Sequence, residues 1–136
     1  MKYYINFLRD KPIIRSLSLV NFIASFGAWF STVAIYTMVV EFGSSEFAIA
    51  IVTAMHFIPA ILIAPFSGSL IDRLKIKPLM VTLLFIELSM TACFLLIETA
   101  SDLWLLLIFI FIRMSAASMF FSSEMSLLAK LSSGKE

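Results

Sequence analysis

Two charged residues stand where charge is costly. Glu87 lies within the apolar run 78–97 and Arg113 within the run 103–123. An unpaired acid or base at the centre of a membrane helix costs roughly 2.5–3.5 kcal/mol. A carboxylate and a guanidinium can relieve each other by sharing a hydrogen-bonded pair, or each can find its own partner or water. Arg113 can also hold a substrate anion, or sense the protonation of a nearby acid, Glu87 or Glu124. His56 is the only histidine and lies within the apolar run 47–71. An imidazole titrating near neutrality can relay a proton, or it can be ordinary hydrogen-bonded structure. A third group is exposed in pattern rather than enclosed. Gly68-Ser69-Leu70-Ile71-Asp72-Arg73-Leu74-Lys75-Ile76-Lys77-Pro78 is a charged island between two long apolar runs.

Other chemistry is excluded. One histidine and one cysteine, Cys93, supply no metal-ligand spacing and no disulfide framework within a single chain. No nucleotide-binding loop is present, so an ATP-driven pump is not supported. No catalytic constellation is present either, so the chain is not expected to be an enzyme and no cofactor is expected. The 14% aromatic content reads as lipid-facing and interfacial phenylalanine, not as a nucleic-acid platform.

The elements that must position these residues follow from the spacing of charge. Of 136 residues, 61% are hydrophobic and only 14% charged, against roughly a quarter charged in a soluble domain. Segments 16–40 and 47–71 contain no formal charge, 78–97 contains one acid and 103–123 one base. About 20 apolar residues cross a bilayer as a helix. Lipid cannot satisfy backbone N–H and C=O groups, so such runs must be helical rather than open strands. The expected fold is an all-α membrane protein with four transmembrane helices and no soluble domain. Connections of five or six residues force sequential antiparallel hairpins. Gly43 and Ser45 suit a helix stop and start, Ser101-Asp102 a cap for the fourth span, and Pro78 the first turn of the third. Pro59 and Pro65 predict a kinked second span. Tyr3–Leu8 suits a short interfacial helix or a frayed tail.

Net charge is only +1, but the bases are segregated. Lys2, Arg9, Lys11 and Arg15 precede the first span, Arg73, Lys75 and Lys77 lie between the second and third, and Lys130 and Lys135 follow the fourth. The other two connections, 41–46 and 98–102, carry no base. The positive-inside rule then places both termini in the cytoplasm of a multi-pass protein of the cell (inner) membrane. The first apolar run is too long for a cleaved signal peptide and reads as a retained helix.

The first span also carries a polar stripe. Ser18, Asn21, Ser25, Trp29, Thr32 and Tyr36 recur every three or four residues and fall within about 80° of one another on a helix. Such a stripe either glues helices together or lines an aqueous cavity. On the second span Thr53, His56, Ala60, Ala64 and Ser67 make a small, weakly polar face suited to close packing. In depth, Glu87 lies nine residues past Pro78 and Arg113 ten before Ser123. At 1.5 Å per residue both stand about 14–15 Å from the same end of the hairpin, which makes contact possible.

The island resembles motif A of the major facilitator superfamily, G-x-L-x-D-R-x-G-R-[RK]-x-x-[LIM], found between the second and third helices. Gly68, Leu70, Asp72, Arg73, Lys77 and Met80 match; Lys75 stands in place of the second glycine and Ile76 in place of an arginine. Arg113 is placed like the arginine of the family's motif B, followed by Ser115, Ala116 and Ala117. The pattern Arg113…Phe120…Leu127-Leu128 resembles the efflux branch that includes macrolide and siderophore exporters. The resemblance implies a proton-coupled efflux permease whose two six-helix halves rock about a midplane site. It further implies that Asp72 and Arg73 latch one side against the opposite half, that Gly68 permits close helix approach, and that the first helix lines the cavity with Asn21, Ser25, Thr32, Tyr36 and, on the second, His56. The plain alternative for the island is a positively charged anchor and turn.

On this resemblance the chain is the N-terminal four-helix portion of such a transporter. Its partners are the lipid bilayer, a small-molecule substrate and the missing transporter half, or an oligomer partner. The alternative is a self-contained four-helix membrane protein acting as an oligomeric exporter or accessory subunit. The absence of an acid in 16–40 and the strong charge bias weigh against it.

Overall fold

A computed structural model describes residues 12–42 and 45–132. Four long helices account for nearly all of them: α1 (Pro12–Glu41), α2 (Glu46–Arg73), α3 (Ile76–Cys93) and α4 (Leu103–Ser132). All four are long and apolar enough to cross a membrane. The chain divides into two units within α1, between Thr37 and Met38. The expected segment Tyr3–Leu8 and the Gly43-Ser44 stop lie outside the described residues.

Among its described residues, the unit that ends at Thr37 is one helix. Pro12 opens α1, where its fixed φ suits a first helical turn and its missing N–H costs nothing. The mean hydropathy of this span is 1.6, against 2.1–2.3 for the other three. The polar stripe accounts for the difference.

The second unit is built around α4, which packs along both α2 and α3, while those two scarcely touch each other directly. Its core is a set of side chains at helical spacing. Val52, Pro59 and Ile71 come from α2, Met80 and Leu83 from α3, and Leu106, Ile110, Ala116 and Phe120 from α4. At ~25 cal/mol per Å² of apolar surface buried, such contacts draw helices together in water. In lipid, packing and interhelical polar contacts take over that role. The buried positions on α4 occupy more of its circumference than those on α2 or α3, as its central place requires.

Each boundary has a local cause. Ser45 is extended, and its carbonyl accepts the amides of Ala48 and Ile49, so α2 starts at Glu46. The α2 helix then runs unbroken through Pro59 and Pro65 to Arg73. Leu74 leaves the helix in an extended conformation while its N–H still donates to Leu70. Lys75 is extended too and starts α3 at Ile76, which places Pro78 in the first turn as expected. At its far end α3 tightens into a 3₁₀ turn, Phe94–Leu96, pinned by the Phe94 ring against Phe109 at 6.5 Å.

The cap before α4 differs from the expected Ser101-Asp102 pair. Asp102 closes a capping box with Thr99 instead. Its carboxylate accepts the Thr99 amide at 3.0 Å and the Thr99 hydroxyl at 2.8 Å. Three of the four helices also exceed the expected spans, whereas α3 ends at Cys93, short of the expected Ile97. The α4 helix continues past Ser123 to Ser132 because Leu127, Leu128, Ala129 and Lys130 favour a helix whether or not lipid surrounds them.

Candidate functional site

The α3–α4 hairpin brings the two mid-span charges together. Glu87 meets Arg113 and, further along, Phe94 meets Phe109, so residue numbers rise on one helix as they fall on the other. Only antiparallel neighbours pair in this way. The closest approach is 3.8 Å, from Nη2 of Arg113 to Oε1 of Glu87, with side-chain exposures of 2% and 18%. This is an ion pair but not a hydrogen bond, which needs about 2.7–3.2 Å. Nε and Nη1 of Arg113 are also buried, and they have no hydrogen-bond partner among the described residues. Neither has the hydroxyl of Ser115, two positions along. The guanidinium is therefore neutralised in charge, but its donors make no hydrogen bond among the described residues. At roughly 1–3 kcal/mol for each buried group left unpaired, it is a costly arrangement.

Arg113 shares its face of α4 with buried Phe120 and Glu124, while Phe109 and Ala117 are half-buried. Glu124 lies on that face but eleven residues away, about 16 Å along the axis. Of the two acids offered as partners, Glu87 is the one in reach.

The charged island forms the junction of α2 and α3. Ile71 and Met80 are buried and anchor it from either side. Asp72, Arg73, Lys75 and Lys77 are exposed, and their side chains make no hydrogen bond or ion pair among the described residues. Lys75 has φ −72° and ψ 117°, a conformation open to any residue. Glycine is thus not needed there, and lysine at this point of the sequence carries no backbone strain. Gly68 is exposed, and a Cβ placed on it would meet nothing within 4 Å. The expected close approach at Gly68 is not made by any described residue.

Along α1, hydroxyls of the stripe bond within their own helix at two places. Ser25 donates to the Asn21 side chain at 3.2 Å and Thr32 to the Ala28 carbonyl at 2.9 Å. Ser18, Ser25 and Trp29 are exposed. The same habit recurs on every long helix. Thr53 donates to Ile49, Ser67 to Ala64, Thr82 to Pro78, Ser89 to Phe85 and Ser123 to Met119. A hydroxyl bonded to its own helix needs no second helix and no water, so such a stripe does not by itself demand a cavity. On α2 the packed face is Val52, Pro59, Ser67 and Ile71, with His56 and Ala60 half-buried beside it. Ala64, expected on this face, is exposed and Ile63 turns inward in its place. Nδ1 of His56 lies 2.9 Å from the Val52 carbonyl, one turn back.

A family model described as Major Facilitator Superfamily matches residues 17–136. The chain belongs to the major facilitator superfamily. Searches against curated proteins and solved structures give no significant match. Family membership and four helices long and apolar enough to span a bilayer point to a multi-pass membrane transporter. In this superfamily member the Asp72-Arg73 pair lies at the exposed junction, and the Arg113 of α4 lies in the interior against Glu87. The two sites occupy opposite electrostatic settings on the same three-helix unit. Sequence reasoning missed the role of Thr99. The signal was there, as a threonine three residues before an aspartate at the start of an apolar run.

Proposed function

We propose that the chain supplies the first four helices of a secondary active transporter, acting as a proton-coupled efflux permease of the macrolide and siderophore exporter type. Its two termini lie in the cytoplasm of the inner membrane, on the side that carries the segregated bases. Asp72 and Arg73 latch that side, and Gly68, Leu70 and Lys77 complete the motif around them. Glu87 and Arg113 form the intramembrane charge pair through which protonation is coupled to movement. Asn21, Ser25, Thr32, Tyr36 and His56 line the path of the substrate.

The observation that carries the reading is the state of Asp72 and Arg73. Both are exposed at a tight helix–helix junction, in the family's spacing, with no partner among the described residues. A latch requires charges held ready for a surface beyond the unit that bears them. The test is Asp72→Asn in the full-length transporter. Transport should fall while the amount of inserted protein stays constant; normal transport by that variant removes the latch.

A further inference from the structure

The chain has two tryptophans, and they stand at different depths. Trp104 is the second residue of α4, at the end of its span, and 62% exposed. That place suits an indole, which favours the border between hydrocarbon and water. Trp29 lies near the middle of the span Ser18–Glu41, eleven residues from one end and twelve from the other. At 1.5 Å per residue it stands about 17 Å from either end. It is 72% exposed, and its indole N–H makes no hydrogen bond among the described residues.

The hydroxyls around Trp29 escape this difficulty by bonding within α1, Ser25 to Asn21 and Thr32 to Ala28. A rigid indole carries its N–H outward, away from the carbonyls of its own helix. Hydrocarbon offers that donor no acceptor, so at mid-span it belongs beside water or a polar group. Trp29 is also where the polar stripe ends. Phe22, Val33 and Phe26 follow it within about 60° round the helix, and Phe26 lies 4.9 Å from the Phe30 ring. Of the exposed members of the stripe, Ser18 stands at the end of the span and Ser25 already donates to Asn21. What the middle of α1 presents is therefore a flat ring with one donor.

Segment 16–40 has no acid to balance a cation and no base to hold an anion. An ion pressed against it would lose water and gain no counter-charge. An uncharged aromatic ring loses little on leaving water and gains by stacking. We infer that Trp29 is a specificity residue of the substrate path: it stacks on an uncharged aromatic ring of the cargo, while its Nε1–H donates to an acceptor on the same molecule. The inference rests on the reading of α1 as a wall of that path.

The test uses the full-length transporter in nanodiscs, with its cysteines replaced by serine, and a charged, membrane-impermeant methanethiosulfonate reagent. Trp29→Cys and Ser25→Cys, made one at a time, should both react. Reaction at Ser25→Cys alone leaves the path standing and overturns the inference; reaction at neither removes the path and the inference together. Benzamide and cyclohexanecarboxamide share an amide acceptor and differ in the ring. Each then competes with labelling of Ser25→Cys, one turn from Trp29. Benzamide should protect roughly two- to tenfold better, the worth of one aromatic stack. Trp29→Leu should abolish that difference, and Trp29→Phe should keep most of it. Equal protection by the two amides, protection by neither, or a difference that survives Trp29→Leu overturns the inference and leaves the path in place.

Discussion

The α3–α4 hairpin and the α2–α3 junction treat charge in opposite ways. In the hairpin, one acid and one base face each other within 3.8 Å, almost out of reach of water. At the junction, one acid and three bases are crowded into six residues, and none makes a side-chain hydrogen bond or ion pair among the described residues. Water or headgroups can solvate the second set, so its charges need no internal partner. Little can solvate the first set, so its charges must balance in place. The contrast separates charge that holds this unit together from charge that faces outward.

The largest effect should come from breaking the buried pair from its acidic side. Glu87→Leu leaves a guanidinium that is 2% exposed and has no neutral form to fall back on, at a cost of about 3–5 kcal/mol. Arg113→Leu should cost less, because a lone carboxyl can take up a proton and Glu87 is 18% exposed. Thermal unfolding in detergent micelles ranks the two. Exchanging the charges, Glu87→Arg with Arg113→Glu, should recover part of the loss. A swap no better than either single change would show that the 3.8 Å approach has no energetic meaning.

At the junction, a single neutralisation should leave stability alone and change only what the charge touches elsewhere. Asp72→Asn is expected to lower transport by the full-length protein roughly tenfold, within the usual range of conformational coupling energies, with the unfolding temperature unmoved. A loss of stability equal to that of the buried pair would erase the distinction between the two regions.

Two smaller changes calibrate the scale. Thr99→Ala removes one arm of the capping box and should cost about 1 kcal/mol by the same unfolding measurement. Ser89→Ala removes a hydroxyl bonded only to the Phe85 carbonyl and should stay within about 0.5 kcal/mol. A larger effect at Ser89 would mean that its hydroxyl serves a second helix.

What the sequence made legible was mostly what lipid dictates. Charge-poor runs located all four helices, because a bilayer tolerates few alternatives. The equal depth of Glu87 and Arg113 anticipated their meeting, because a short turn fixes the offset of a hairpin. Rotation was harder to read. Ala64 and Ile63 exchanged places because both are apolar and only the packed partner decides which turns inward. Helix ends were misjudged at Ser123 because charge marks the edge of a membrane, whereas a helix continues as long as its residues favour one. The hydroxyl stripe on α1 was visible, but not its internal bonding, since serine and threonine look equally polar whether or not they are satisfied.

The position of α4 bears on how the unit is made. Ribosomes release α2 and α3 first, and those two have little to hold each other by. Until α4 arrives, Glu87 waits in lipid without its arginine. When α4 enters it supplies the packing for both earlier helices and the counter-charge for one of them. The latest of these four helices to be synthesised is thus the keystone, and a ribosome stalled before Leu103 would leave two helices adrift and a carboxyl group for quality control to find.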